Sequence, residues 1–109
     1  DQANAYHPST QPGGRLPHRW LRGERSLYDL LGFEWTVLTP AHAVAEAQRL
    51  AEVGRAAGLP VAVLPLAEDE AGDLLDEGLL LVRPDQVIAW RGAKVPENAA
   101  AIWSRVARA

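Results

Sequence analysis

The side chains of this chain that could carry chemistry are histidine, serine and carboxylate, because cysteine is absent. Without cysteine there is no disulfide, thiolate nucleophile, CxxC redox pair or cysteine-ligated zinc. His7, His18 and His42 are too widely spaced to form a metal-binding sequence motif, although folding could bring them together. Ser26 and Ser104 have no base at the spacing of a catalytic nucleophile. The sequence therefore predicts neither a catalytic residue nor a metal ligand.

Acidic residues are concentrated in one short stretch that contains no basic residue. The stretch contains Glu68, Asp69, Glu70, Asp73, Asp76 and Glu77. It lacks the ligand spacing and the turn of a calcium-binding EF-hand loop. We interpret it as the solvated face of a short helix over residues 68–77, whose leading carboxylates suit the positive end of the helix dipole.

Basic residues are concentrated near the start of the chain. Arg15 and Arg19 flank His18, and together they could contact a cofactor or a neighbouring domain. The alternative is an arm that packs on its own domain through Leu16 and Trp20. His42 is expected on the surface near a helix N-terminus.

The chain has four tryptophans, which could form an aromatic binding platform. Core packing explains Trp35, Trp90 and Trp103 more simply, because they lie on predicted strands and on a helical apolar stripe. Trp20 is the exception, and exposed aromatic residues mark interfaces. We therefore predict a domain or dimer contact at Arg15, Pro17, His18 and Trp20.

Composition places these candidates in a single globular domain. The chain has 109 residues, of which 48% are hydrophobic and 23% are charged. Its net charge of −3 argues against general nucleic-acid binding. No apolar run approaches the roughly 20 residues of a membrane span, and the polar start lacks the apolar stretch of a secretory signal. We therefore expect a cytoplasmic protein, and the absence of an initiator methionine hints at a piece of a longer one.

The sequence pattern predicts the elements that must position these residues. Residues 1–14 are expected to be a linker or arm, and residues 15–109 the domain. Strands are predicted at 15–21, 33–39, 60–66, 79–82 and 87–91, with a turn at 22–25 and one helical turn within 26–32. Helices are predicted at 40–57, 68–77 and 96–108. Thr39 should cap the first long helix, Pro40 should be its first residue, and Gly58 should end it.

This order of elements predicts an α/β fold. Strands 33–39 and 60–66 should be parallel, because a helix joins them, and strands 79–82 and 87–91 should form a hairpin. The expected result is a four-stranded mixed sheet with helices on both faces, preceded by an N-terminal arm or hairpin. The order resembles the thioredoxin-like fold. That family's redox cysteine belongs at the start of the first long helix, where this chain reads Thr39-Pro40-Ala41-His42, so a thiol oxidoreductase is excluded for this chain alone.

Three stretches together resemble the C-terminal, thioredoxin-like domain of FAD-dependent aromatic-ring hydroxylases, the single-component flavin monooxygenases. They are PGGRLPH at 12–18, SLYDLLG at 26–32 and VRPDQVIAWR at 82–91, and the resemblance covers about residues 12–108. Gln86 departs from the family pattern, which has a turn glycine there. A left-handed backbone at that position would cost glutamine about 1 kcal/mol, so we expect the turn to differ from the family form.

The resemblance implies a parent enzyme that uses FAD and NAD(P)H to insert one oxygen atom into an aromatic substrate. This chain has no GxGxxG after a strand, so alone it should bind no FAD and hydroxylate nothing. The implied role is a non-catalytic structural or interface module. Its partners would be the FAD and substrate domains of the same parent chain or a second copy, with no nucleic acid and no membrane. An independent, cysteine-free thioredoxin-like interaction module is the alternative.

Overall fold

The central sheet is built around a parallel strand pair in a computed structural model that describes residues 12–18, 20–76 and 78–107. Strand β3 (Trp35–Pro40) pairs in parallel with β4 (Val61–Leu66), from Trp35 opposite Val61 to Pro40 opposite Leu66. A hairpin of two short strands, β1 (Trp20–Leu21) and β2 (Arg25–Ser26), precedes this pair. The predicted parallel arrangement is confirmed.

Strand β3 begins two residues later than the predicted strand 33–39. Phe33 lies outside it with 97% of its surface exposed. The delay follows from pairing, because β4 begins only at Val61 and the Trp35 amide bonds the Pro60 carbonyl at 3.0 Å. Phe33 therefore has no partner on β4, and alternation of residue types alone could not reveal this.

The first long helix also begins later than predicted. Pro40 is the last residue of β3, a 3₁₀ turn covers Ala41–Ala43, and helix α1 is Val44–Ala56. The prediction that Thr39 caps this helix is wrong, because its hydroxyl donates to the Pro40 carbonyl at 2.8 Å.

The predicted end of α1 at Gly58 is confirmed. Gly58 has φ of +94°, and its amide bonds the Arg55 carbonyl at 2.9 Å. The Leu59 amide bonds the Gly54 carbonyl at 3.1 Å, which completes a Schellman motif.

Two further strands complete the sheet in the order β4-β3-β5-β6. Strand β5 (Leu79–Val82) runs antiparallel to both β3 and β6 (Ile88–Gly92). Pro65 lies on the edge strand β4, where its missing amide hydrogen is tolerated. The predicted α/β fold, with a four-stranded mixed sheet and an N-terminal hairpin, is confirmed.

The turn between β5 and β6 places Gln86 in the left-handed region. Its φ is +71°, and its amide bonds the Arg83 carbonyl at 2.8 Å. Glutamine therefore adopts the backbone that a turn glycine favours, in a turn followed by a bulge.

Helices α1 and α3 (Ala99–Val106) cover one face of the sheet. The predicted stripe at Ala99, Ile102, Trp103 and Val106 packs there. Helix α3 begins three residues after the predicted start, because contacts with α1 hold residues 95–96 outside the helix. The Val95 amide donates to Glu46 at 2.8 Å, and the Val95 and Pro96 carbonyls accept from Arg49.

The other face is covered by short elements. They are the N-terminal hairpin, 3₁₀ turns at Arg22–Glu24 and Leu27–Leu30, and helix α2 (Glu68–Ala71). The predicted helix over residues 68–77 is one turn long, because Gly72 leaves helical geometry at φ +52° and ψ −130°. Five of the six acidic residues are described, and all but Glu70 are exposed.

The described end of the arm lies along the free edge of β6. The Gly13 amide bonds the Ile88 carbonyl at 2.7 Å, and the Ile88 amide bonds the Gly14 carbonyl at 2.8 Å. The Leu16 amide bonds the Gln86 carbonyl at 2.8 Å, and the Leu16 side chain is fully buried. Most of the predicted linker at 1–14, with His7, lies outside the described residues.

Candidate functional site

Four side chains of the N-terminal segment form a continuous row, which we call the aromatic array: Arg15, Tyr28, His18 and Trp20. The Arg15 guanidinium carbon lies 6.0 Å from the centre of the Tyr28 ring. The His18 ring meets Tyr28 edge-on at 5.1 Å and Trp20 edge-on at 4.9 Å. Edge-to-face contacts at these separations are favourable, and so is a cation over an aromatic face. The structure thus brings three of the four predicted contact residues together.

The hairpin positions His18 through Ser26. In the pairing of β1 with β2, Ser26 lies opposite Trp20. The Ser26 hydroxyl accepts from the Tyr28 amide at 3.2 Å, which caps the following 3₁₀ turn, and contacts His18 Nε2 at 2.9 Å. Tyr28 in turn donates its hydroxyl to the Leu16 carbonyl. Each ring of the array is therefore fixed by a polar contact or by its neighbour.

Sequence spacing showed no base beside Ser26, but the hairpin brings His18 Nε2 to 2.9 Å from its hydroxyl. The pair still lacks the features of a hydrolase. Ser26 is only 8% exposed, and its hydroxyl already accepts a backbone hydrogen bond. The contact holds the imidazole beside the hairpin.

Exposure distinguishes Trp20 from the other tryptophans, as the sequence predicted. Trp20 is 67% exposed, and its indole N–H has no acceptor among the described residues. Trp103 is buried, whereas Trp35 and Trp90 are half-buried against the core. An open depression beside Trp20 is lined by Leu21, Gly23 and Glu24. Pro17, the fourth predicted contact residue, is half-buried between Leu16 and His18.

Sequence reasoning missed two residues on the surface. Tyr28 links Arg15 to His18, and its only sequence signal is its position two residues after a capping serine. Phe33 is fully exposed, and its alternation with Trp35 and Val37 pointed to a strand instead.

The connection from β3 to α1 contains no chemical group that could replace the redox cysteine of the thioredoxin-like fold. Its residues are Ala41, His42 and Ala43, and His42 is exposed, as expected. A cleft of about 230 Å³ beside it is lined by His42, Glu68 and Asp76 among others. Across the described ranges, no three side chains are grouped so that they could hold a metal ion.

The same connection does not fit the pyrophosphate of FAD. A dinucleotide-binding turn needs glycines between a strand and the helix N-terminus, so that backbone amides can approach the phosphates. Here alanines and a histidine form a 3₁₀ turn, and the cleft beside it carries carboxylates that repel phosphate. In the part of the chain that the structure describes, no helix is long and apolar enough to cross a membrane.

Comparison with known proteins gives consistent matches. Residues 9–108 match the family described as "Aromatic-ring hydroxylase, C-terminal". The chain is 33% identical to a 4-methyl-5-nitrocatechol 5-monooxygenase of Burkholderia sp, in an alignment that covers all of this chain and 23% of that protein. It is 35% identical to the tetracenomycin A2 monooxygenase-dioxygenase of Streptomyces glaucescens, over 88% of this chain and 20% of that one.

Solved structures agree with the sequence matches. A structure of native and K252c-bound RebC-10x superimposes with a TM-score of 0.82 at 28% identity, over 93% of this chain and 20% of that chain. The flavin-dependent monooxygenase PieE, in complex with FAD and substrate, gives a TM-score of 0.74 at 29% identity, over 93% of this chain and 20% of that one.

The chain spans only about a fifth of the length of these relatives. Within that fifth, the match is nearly complete, and it includes the arm, the hairpin and the sheet with its helices. This chain therefore belongs to the C-terminal domain family of aromatic-ring hydroxylases.

Proposed function

We propose that this chain is the C-terminal domain of a longer aromatic monooxygenase that uses FAD and NAD(P)H. The observation that carries the proposal is the family match over residues 9–108, combined with relatives about five times longer that are named as monooxygenases. In such an enzyme one atom of O₂ enters the aromatic ring and the other leaves as water, with electrons from NAD(P)H. The flavin supplies the oxygen chemistry, and the protein supplies orientation and exclusion of water.

Within that enzyme, the role that we propose for this domain is structural. Its β3–α1 connection does not fit a pyrophosphate, and His18, the base nearest to a hydroxyl, is committed to orienting the array. We place the contact surface at Arg15, Pro17, His18 and Trp20, three of which belong to the aromatic array. Enzymes of this chemistry draw on cytoplasmic NAD(P)H, so we expect the parent protein in the cytoplasm.

The experiment compares the 109-residue chain with the longer polypeptide encoded by the reading frame that contains it. The longer protein should purify with a flavin absorption band and should oxidise NAD(P)H faster when a phenol is added. The short chain should retain no FAD after equilibrium dialysis. A flavin bound to the short chain would contradict the structural role, and a reading frame that begins within a few residues of Asp1 would refute the proposal.

The second candidate function is an independent interaction module. It is favoured by the aromatic array alone, because the array is exposed and ordered within this chain. A short reading frame, together with capture of a partner that depends on Trp20, would support this candidate.

A further inference from the structure

We propose that the aromatic array is the docking surface of this domain for the preceding part of its own longer polypeptide, with Trp20 as the anchor. This proposal rests on the proposed function. The sequence was compatible with a domain contact or a dimer contact, and we propose the domain contact. The occupant is a surface with an apolar pocket, a hydrogen-bond acceptor for the indole N–H, and a carboxylate beside it.

The residue types of the array are those that anchor protein interfaces. Tryptophan, tyrosine and arginine dominate the binding energy of protein interfaces, and the array contains all three. Trp20 is 67% exposed but is held edge-on by His18, with ring centres 4.9 Å apart. A fixed aromatic side chain loses little conformational entropy on docking, which favours affinity.

The array offers a partner both a hydrogen-bond donor and a positive charge. The Trp20 indole N–H lacks an acceptor among the described residues, although a buried indole normally has one. Arg15 contacts only neutral groups in the described part of the chain, namely the Tyr28 ring and the Gln86 amide oxygen at 3.2 Å. A partner could supply a hydrogen-bond acceptor for the Trp20 indole N–H and a carboxylate for the Arg15 guanidinium.

The backbone is strained at the tip of the hairpin, beside Trp20. Glu24 lines the depression beside Trp20 and has φ of +61°, in the left-handed region that side chains other than glycine rarely adopt. Its neighbour Gly23 has φ of +72°. Such strain persists where the surrounding structure holds the backbone in place. Here the strained residues line the depression beside Trp20.

The position of this domain in its family favours an occupant from the same chain. The family is C-terminal and the relatives are about five times longer, so the rest of such a chain enters this domain from its N-terminal side. That side leads through the arm, which is pinned to β6 at Gly13, and reaches Trp20 seven residues later. A partner on the same chain has a higher effective concentration than a free second copy, which favours the attached partner.

The test uses the longer polypeptide with a specific protease site inserted ahead of Pro12. After cleavage, the C-terminal domain should co-elute with the remainder in gel filtration. Trp20→Ala should weaken the association of the two pieces at least tenfold, as expected for a tryptophan hot spot. Phe33→Ala, which removes an even more exposed aromatic residue, is the matched control and should change the association less than twofold.

The outcomes separate the possible occupants and the two proposals. Equal dissociation constants for Trp20→Ala and Phe33→Ala would overturn the docking assignment. A longer protein that changes from dimer to monomer on Trp20→Ala, while the cleaved pieces stay together, would overturn it in favour of a second copy. The dissociation constant of the cleaved pieces can be measured without flavin or substrate. A longer protein that binds no flavin would therefore contradict the proposed function without affecting the test of docking. A cooperative urea-unfolding transition of the 109-residue Trp20→Ala chain would show that this variant still folds.

Discussion

The two faces of the sheet are covered in different ways, and the two tryptophans at their centres show the difference. On the helical face, Trp103 is 3% exposed and donates its indole N–H to the Leu50 carbonyl at 2.9 Å. On the hairpin face, Trp20 is 67% exposed, and its N–H has no acceptor among the described residues. Both faces are closed by packing within the domain, but only the hairpin face, among the described residues, presents a largely exposed tryptophan.

The covers differ in construction as well as in exposure. Two helices with apolar stripes close the helical face, so its stability comes from packing. The hairpin face is closed by strands of two residues and 3₁₀ turns, which make few hydrogen bonds of their own. Leu16, Leu21 and Leu27 are nevertheless buried in a hydrophobic cluster beneath this cover, and the hydrogen bond from Tyr28 to the Leu16 carbonyl adds to that packing. A cover of this kind leaves polar and aromatic groups at the surface, where they can bind a partner.

The largest expected effect contrasts the two tryptophans directly. Trp103→Ala should lower the free energy of unfolding by about 3–5 kcal/mol, because it opens a cavity and removes the contact with Trp35. Trp20→Ala should change it by less than about 0.5 kcal/mol in the 109-residue chain, as for an exposed residue. Urea unfolding followed by circular dichroism measures both values. Similar losses for both variants would show that Trp20 is packed as tightly as Trp103.

The next effect tests whether packing limits the helical face. A Cβ at Gly54 would lie 2.6 Å from the Trp103 ring, closer than packed atoms allow. Gly54→Ala should therefore cost about 1–2 kcal/mol, since overpacking outweighs the gain in helix propensity. In the Trp103→Ala background the clash disappears, and the same substitution should instead stabilise the domain by about 1 kcal/mol. Additive effects in this double-mutant cycle would contradict the contact.

A smaller effect tests the hairpin face. Tyr28→Phe keeps the ring of the aromatic array but removes the hydroxyl that bonds the Leu16 carbonyl. We expect a loss of about 1 kcal/mol, the typical net contribution of one hydrogen bond. Amide exchange at Leu16 and Ile88 should speed up as well, because the arm is tied to β6 through these residues. Unchanged exchange would mean that the backbone bonds alone hold the arm.

The helical face could be predicted from sequence because its signal is periodic. Ala99, Ile102 and Trp103 lie on one helical stripe, and Gly58 marks a helix end by its own backbone preference. What sequence could not supply were long-range contacts. Helix α3 begins at Ala99 because Glu46 and Arg49 hold Val95 and Pro96, and those pairs are almost 50 residues apart.

The hairpin face was predicted in part, and for a different reason. Arg15, Pro17, His18 and Trp20 could be selected because their residue types favour contacts and they fit no apolar pattern. Their arrangement could not be predicted, because the row depends on Tyr28, which reaches Arg15 and His18 only after the hairpin has turned the chain back. The same reversal brings His18 to Ser26, a contact that spacing along the sequence could not show.

The smallest expected effect lies where the arm of the hairpin face joins the sheet. Gln86 has φ of +71°, and its carbonyl accepts from the Leu16 amide at 2.8 Å. Gln86→Gly relieves a left-handed backbone that costs about 1 kcal/mol, but it removes the exposed hydrogen bond from Arg15. We expect a net gain of about 0.5–1 kcal/mol in the free energy of unfolding, since exposed contacts contribute little.

The matched control is Gln86→Ala, which removes the same hydrogen bond but keeps a Cβ in the left-handed region. The difference between the glycine and alanine variants should therefore equal the backbone cost, about 1 kcal/mol. Thermal and urea unfolding of the three chains gives this difference without reference to Arg15. If glycine and alanine are equally stable, the turn relaxes at no cost. The turn between β5 and β6 would then carry no more backbone strain than the Schellman motif at Gly58.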